Sequence, residues 1–204
     1  EIESPNMILD DTKGVQYLHE IKDSLKSGFR HSIESGPLCD EPIFGVQFEL
    51  QDVTLHADAI HRGMGQLLPP TRRAMFATLL TGKPRLLEPY YHIEITCPCD
   101  VSSKIYGFLT RKRGSIESEE TDYASDETTI TGFLPVAESI GFAGDLRGAT
   151  GGKAFPQCTF SHWDIINSDP LEEGSVAYEL VSKIRKRKDL SERPMPLEKY
   201  KDKL

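Results

Sequence analysis

The spacing of apolar residues predicts two helices and a strand in the first part of the chain. Apolar side chains recur every three or four positions in two stretches, as on one face of a helix, and they alternate with polar ones in a third stretch. We expect Thr71 to cap the second helix and Gly82 to end it. The predicted elements are a loop over 1–14, a helix over 15–30, a strand over 43–53, a loop over 57–70 and a helix over 74–80.

The pattern changes at residue 88 to a series of short strands and helices. Strands are predicted over 90–96, 115–118, 128–136 and 157–163, and helices over 101–113 and 139–148. The order strand, helix, strand, strand, helix, strand is that of the split βαβ, ferredoxin-like fold. A last helix over 175–190 has apolar residues on one face and a strongly basic C-terminal end.

These elements predict an α+β protein with two domains. The first domain is expected over 1–87, a ferredoxin-like domain over 88–165, and a tail containing the last helix over 166–204. The chain begins with Glu1 rather than Met, so we also expect it to be part of a longer protein.

Composition and charge narrow the choice of function. Hydrophobic residues make up 38% of the 204 residues and charged residues 27%, a balance that can bury a core. The formal net charge of -8 argues against a free-standing nucleic-acid-binding protein, which is usually basic. Three local basic clusters are usually explained as solvated helix faces, and their number on an acidic chain leaves contact with an RNA backbone as the alternative. They contain Arg72, Arg73, Arg111, Lys112, Arg113, Lys183, Arg185, Lys186, Arg187 and Lys188.

The four cysteines and the apolar runs exclude several other classes. Cys39, Cys97, Cys99 and Cys158 fit neither a disulfide framework nor a zinc site, so we expect free thiols in a reducing compartment and no bound metal. No apolar run is long enough to span a bilayer, and no signal-peptide pattern opens the chain. We therefore expect a cytoplasmic protein that does not bind membranes.

Two glycine-rich stretches resemble nucleotide-binding motifs without meeting their requirements. In the stretch 147–154, Arg147 replaces the first glycine of a phosphate-binding loop and Ala154 replaces its hydroxyl residue. The stretch follows a predicted helix, so we expect a turn at a helix end. Gly63 and Gly65 lack the third glycine of a dinucleotide fingerprint, and we expect them to make a tight turn.

The stretch 56–62 concentrates the most reactive side chains. It contains two imidazoles, a carboxylate and a guanidinium: His56, Asp58, His61 and Arg62. The two histidines are five residues apart, which does not place them on one helical face as a zinc motif requires. No serine or cysteine nucleophile stands on a sharp strand-to-helix turn. Chemistry alone leaves a metal site and a polar loop without any role as alternatives.

A set of colinear motifs along the chain carries a family resemblance. LHADAIHRGMGQ over 55–66 and GVQYLHEIKDS over 14–24 resemble the tip and the long helix of domain IV of eukaryotic-type elongation factor 2, the ribosomal translocase family. IYGFLTRKRG over 105–114, LPVAESIGF over 134–142 and GGKAFPQCTFSHW over 151–163 resemble motifs of domain V. Met64 departs from the run of glycines that is usual in this family.

The resemblance implies a fold and a set of site residues. Domain IV would be ribosomal-protein-S5-like, with the tail helix returning to pack on it. His61 matches the histidine that the family converts to diphthamide, which is also the target of ADP-ribosylating toxins. The matching residues implied to contact tRNA or the decoding site at the tip are His56, Asp58, Arg62, Gly63 and Gly65.

The resemblance also implies partners, and it implies that GTP is bound outside these residues. The family moves tRNA and mRNA through the ribosome at the expense of GTP, so the expected partners are ribosomal RNA, ribosomal proteins, tRNA, mRNA and the diphthamide-synthesis enzymes. GTP and Mg would be bound by an upstream G domain, leaving these 204 residues without a cofactor or catalytic residue, as part of a monomer. The alternatives are a spliceosomal or a ribosome-maturation GTPase of the same architecture, and a standalone interaction module.

Overall fold

A computed structural model describes residues 6–200 of the chain. The predictions for 1–5 and 201–204 lie outside these residues. The contacts divide the described chain into two compact units. Unit 1 contains the residues up to Arg85 and those from Ser168 onward, and unit 2 contains Leu86–Asn167.

The described residues form six strands and five α-helices, which alternate except that β5 follows β4 directly. In order they are β1 (Met7–Asp10), α1 (Leu18–Glu34), β2 (Gln47–Leu50), α2 (Met64–Thr81), β3 (Leu87–Pro98), α3 (Ser102–Arg111), β4 (Ser115–Asp122), β5 (Glu127–Pro135), α4 (Phe142–Thr150), β6 (Phe155–Ile165) and α5 (Val176–Arg187). Short 3₁₀ turns lie at Ala59–Arg62, Cys99–Val101, Val136–Glu138 and Leu197–Lys199. The mixed α+β class predicted from the sequence is confirmed.

Unit 1 contains a two-stranded parallel sheet and a pair of helices that follow its strands. β1 pairs with β2 in parallel, with Ile8 opposite Phe48, and α1 connects the two strands. The prediction of a loop for the start of the chain is wrong at β1. Four residues of which three are apolar are too few to show a period, and only the pairing with β2 reveals the strand.

Helix α2 begins ten residues before its predicted start. Thr71 is not an N-cap: it lies inside α2, and its hydroxyl donates to the carbonyl of Leu67 at 2.7 Å. Pro69 and Pro70 also lie inside the helix, where they remove two backbone donors. Because of these prolines, the sequence predicted a loop where the first two turns of α2 lie. The predicted end of the helix at Gly82 is confirmed.

Unit 2 is a four-stranded antiparallel sheet with two helices on one face. The strand order is β4-β5-β3-β6, and every neighbouring pair is antiparallel. This is the ferredoxin-like arrangement predicted from the element order. The core joins Ile93, Ile95 and Ile130 of the sheet to Ile105 of α3 and Leu146 of α4. The opposite face of the sheet contributes nothing to this core.

Candidate functional site

The tip loop, residues 55–63, is an exposed connection between β2 and α2 with a defined internal geometry. Asp58 caps the 3₁₀ turn Ala59–Arg62, because its carboxylate accepts from the amide of Ile60 at 3.3 Å. The Asp58 amide in turn donates to Nδ1 of His56 at 3.0 Å. His56 and Asp58 therefore act on the loop's own backbone, although both side chains are exposed.

Arg62 holds this loop against the start of α1. Its side chain is only 7% exposed. The guanidinium donates to the carboxylate of Glu20 at 3.0 and 2.8 Å and to the carbonyls of His56 and Ala57 at 2.8 and 2.7 Å. It also lies 4.1 Å from the ring centroid of Tyr17, a cation–π distance. We call Arg62 with Glu20 and Tyr17 the Arg62 clasp.

The Arg62 clasp changes the expected role of Arg62. A guanidinium with four hydrogen bonds and almost no exposed surface does not present its charge to an RNA backbone. It determines where the tip loop lies instead. Sequence reasoning missed Glu20 and Tyr17, because they lie more than 40 residues from Arg62 and only the packing of the loop on α1 brings the three together.

His61 stands at the outer end of the turn that the Arg62 clasp holds. The residue is exposed, and its ring lies edge-on against the ring of His56, with centroids 4.4 Å apart. Ile60 and Met64, on either side of it along the chain, are large apolar residues that are also exposed. The tip loop therefore presents an imidazole pair and two apolar side chains to the outside.

The two glycines of the tip do not make the tight turn expected from the sequence. Gly63 has φ -67 and ψ 152, which any residue adopts, and Gly65 lies in the first turn of α2. A Cβ built on either glycine meets nothing within 4 Å. Met64 is the first residue of α2, so its side chain does not disturb the loop's geometry. The fold of the described chain does not itself require these glycines.

The N-terminus of α2 opens beside His61. Gly63 caps the helix without a side-chain hydrogen bond, and its carbonyl accepts from the amides of Gln66 and Leu67. The first backbone amides of a helix lack intrahelical acceptors and carry a partial positive charge. The tip therefore combines helix-end donors with two imidazoles, a set of groups suited to phosphate oxygens.

The basic cluster at the end of α3 is only partly available for RNA. Arg111 is exposed. Lys112 lies 3.6 Å from the carboxylate of Asp145, and Arg113 makes a bidentate ion pair with buried Glu88 at 2.7 and 2.9 Å. The bond to Glu88 is the main cause of the raised pKa of Arg113. Arg113 therefore stabilises unit 2, contrary to its expected place on an RNA-facing surface.

The basic cluster of α5 contains one buried member. Arg185 is 7% exposed, and it donates to the carbonyls of Leu38 and Ser191 at 2.6 Å and to the hydroxyl of Ser191 at 2.8 Å. The expectation that it faces RNA is wrong, because a side chain enclosed by these acceptors cannot reach a partner. The other members of the cluster are exposed: Lys183, Lys186, Arg187 and Lys188.

Arg72 and Arg73 are exposed residues of α2 near the described end of the chain. Arg72 lies over the ring of Phe76, 4.9 Å from its centroid, and Arg73 donates to the carbonyl of Tyr200 at 3.5 Å. Both side chains keep enough surface for an external contact, and they lie in the same unit as the tip loop.

The other features of the sequence that suggested a binding site are ordinary structural features. The stretch 147–154 is the predicted turn at a helix end: Gly151 caps α4 with φ 64, and the amide of Gly152 donates to the carbonyl of Arg147 at 2.7 Å. The four cysteines are free thiols. Within residues 6–200, no three metal-binding side chains come together, and no helix is long and apolar enough to cross a membrane.

Two family models match the chain in the order of its two units. One, described as elongation factor G, domain IV, matches residues 1–83, and the other, described as elongation factor G C-terminus, matches residues 85–174. Together the two models account for most of the 204 residues. The chain therefore belongs to the translation elongation factors of the elongation factor G and elongation factor 2 family, of which it carries domain IV and the C-terminal domain.

Proposed function

We propose that this chain is part of a eukaryotic-type elongation factor 2 and acts in GTP-dependent movement of tRNA and mRNA through the ribosome. The observation that carries the proposal is the exposed His61 at the end of a loop held by Arg62, whose side chain is only 7% exposed. In this proposal the tip loop enters the decoding region and contacts the tRNA there, while the covalent chemistry of GTP takes place elsewhere.

The geometry of the tip supports a contact with a nucleic-acid backbone. Helix α2 begins three residues after His61, whose ring contacts the ring of His56, and the first backbone amides of a helix bind phosphate. Gly63 and Gly65 leave open space where side chains would otherwise stand. A phosphate or ribose can therefore approach the backbone closely, which gives these glycines a reason that the fold alone does not supply.

A fixed loop suits this task better than a flexible one. Two hydrogen bonds from Arg62 to Glu20 and a cation–π contact with Tyr17 join the tip loop to the start of α1, and two further hydrogen bonds from Arg62 hold carbonyls of the loop itself. The loop therefore loses little conformational entropy when it binds, and its position relative to the helices is set before contact. This is what a group that keeps a moving tRNA in register needs.

His61 is proposed to be the residue converted to diphthamide. The modifying enzymes must reach the ring carbon between the two nitrogens, and the ring of His61 is exposed on the tip loop. The added arm ends in a fixed ammonium charge, which does not depend on pH, whereas an imidazole loses its charge as the pH rises through the neutral range. A permanent cation at this place would strengthen the contact with RNA.

The remaining assignments follow from the same proposal. GTP and Mg belong to a G domain outside these residues, and the protein works as a cytoplasmic monomer. Its partners are the two ribosomal subunits with tRNA and mRNA, and the diphthamide-synthesis enzymes. Arg72, Arg73, Arg111, Lys183, Lys186 and Arg187 are the exposed cations proposed to face ribosomal RNA. Lys188 is exposed as well, but its ammonium group is paired with Glu41 at 2.7 Å and donates to the carbonyl of Asp40.

A translocation assay with the native protein tests the proposal. His61→Gln should slow the movement of mRNA measured by toe-printing, because the tip loses its imidazole and any modification of it. His31→Gln is the matched control, since His31 is an exposed histidine near the other end of α1. Equal translocation rates for His61→Gln, His31→Gln and the wild type would contradict a role of the tip loop in translocation.

A further inference from the structure

The face of the four-stranded sheet opposite the core of unit 2 carries a cluster of flat side chains. Cross-strand register places Tyr90 opposite His162, and His92 opposite Phe133, so the four rings lie on one face. Tyr90 and His162 are stacked at 5.6 Å. Phe133 lies 5.7 Å from His92 and 5.1 Å from His162. We call these four residues the sheet platform.

The sheet platform is accessible from the outside. The core residues of the sheet, such as Ile93 and Leu134, are completely buried under α3 and α4 on the other face. On the platform side, His162 and Glu94 are exposed, and the side chain of His92 keeps 37% of its surface. The platform is therefore an unpartnered part of a sheet face within unit 2.

The charge of the sheet is of one sign. Strands β3, β4, β5 and β6 contain no Lys or Arg at all, but they contain eight carboxylates. These are Glu88, Glu94, Glu117, Glu119, Glu120, Asp122, Glu127 and Asp164. The cation that reaches Glu88 comes from outside the strands: Arg113, which is paired with both Glu88 and Glu138 and is 26% exposed.

Several of these carboxylates lie on the platform face. Glu94 follows His92 by two positions on β3, so both point to the same side, and Glu117 approaches Nε2 of His92 to 3.8 Å. Glu119 points the other way, since it lies opposite core residue Ile130 and accepts a hydrogen bond from Tyr106 of α3. The platform is thus bordered by negative charge on its own face.

Charge decides which flat ligand suits the sheet platform. Aromatic faces stack with nucleobases and with guanidinium groups. A nucleic acid brings a phosphate for every base, and the carboxylates next to the platform would repel it. A guanidinium brings the opposite charge and a planar group that stacks on rings, and it forms bidentate pairs with carboxylates.

We propose that the sheet platform binds an arginine-bearing segment of a basic protein, with a guanidinium over the rings and its charge paired with Glu94 and Glu117. Charged residues on an edge strand prevent aggregation, and this alone would explain the carboxylates on β4. It does not explain Glu94, which lies on the central strand β3 beside the rings. The site lies in unit 2 and does not depend on the role of the tip loop.

Peptide binding by the whole chain tests this proposal. The probe is a fluorescein-labelled peptide of alternating Arg and Gly, compared with the same peptide carrying Lys in place of Arg and with an unstructured oligouridylate. We expect the Arg peptide to bind more tightly than the Lys peptide, and the oligouridylate to bind most weakly. Amide shifts in two-dimensional NMR should be confined to the parts of β3, β4, β5 and β6 that carry the platform and its two carboxylates, Glu94 and Glu117.

Matched variants separate the platform from general attraction to an acidic protein. Glu94→Gln should weaken binding of the Arg peptide about threefold, as expected of one exposed ion pair. His162→Ala should reduce the preference for Arg over Lys. Glu119→Gln removes the same charge from the other face and should change neither. Equal effects of Glu94→Gln and Glu119→Gln, or oligouridylate shifts on the platform, would overturn the proposal.

Discussion

Replacement of Arg62 by alanine should loosen the tip loop without unfolding the protein. The change removes two hydrogen bonds to a carboxylate, two to carbonyls and one cation–π contact. Hydrogen bonds to charged groups contribute about 1.5–3 kcal/mol each. The side chain of Glu20 is 37% exposed, so water partly replaces the hydrogen bonds that it loses with Arg62. We expect the free energy of opening the loop to fall by about 2–3 kcal/mol.

Hydrogen exchange of the loop amides measures this loss directly. The amides of Asp58, Ile60 and His61 donate within the loop, so their exchange reports its opening. A loss of 2–3 kcal/mol corresponds to exchange that is about 30- to 150-fold faster. Arg30→Ala, which removes an exposed arginine from α1, is the control and should leave the rates unchanged. If Arg62→Ala exchanges no faster than Arg30→Ala, the Arg62 clasp does not hold the loop.

Three further outcomes follow from burial and backbone geometry, each measured by chemical unfolding. Arg185→Ala should cost about 2–4 kcal/mol because it leaves buried acceptors unpaired, whereas Lys186→Ala should cost less than about 0.5 kcal/mol; equal costs would contradict the buried site. Gly132→Ala should destabilise unit 2 by about 1–3 kcal/mol, since its Cβ would collide with the carbonyl oxygen of Ser115. Gly144→Ala in α4, where a Cβ meets nothing within 4 Å, should stabilise unit 2 by up to about 1 kcal/mol. The same sign for both changes would refute this reasoning. Burial raises the pKa of Cys39 from 9.0 to about 11, so the folded state keeps the thiol proton to a higher pH than the unfolded state does. Stability should therefore fall as the pH rises from 9.0 towards 11, and Cys39→Ala should reduce that fall.

The fold of unit 2 could be predicted because its sequence carries the information locally. Each strand and helix there shows its own period, and the order of six elements is enough to identify the ferredoxin-like fold. Unit 1 was predicted less well. β1 is too short to show a period, and Pro69 and Pro70 suggest a loop where α2 continues through them.

The sequence predicted which residues form the candidate site better than it predicted what each of them does. The motif identified the stretch 56–62, and the structure places it in one exposed loop. A sequence pattern cannot show which cations are used inside the protein. Arg62, Arg113 and Arg185 are engaged with partners distant in sequence, so only the folded chain separates them from exposed neighbours such as Lys183.

The most direct test of the account is the chemical state of His61 in the protein isolated from its natural host. Mass spectrometry of the peptide containing the tip loop should show diphthamide on His61, and diphtheria toxin with labelled NAD should transfer ADP-ribose to the same residue. The His61→Gln protein is the control and should accept no label. An unmodified His61 in the native protein, with no label transferred, would contradict the assignment of this loop to a eukaryotic-type elongation factor 2.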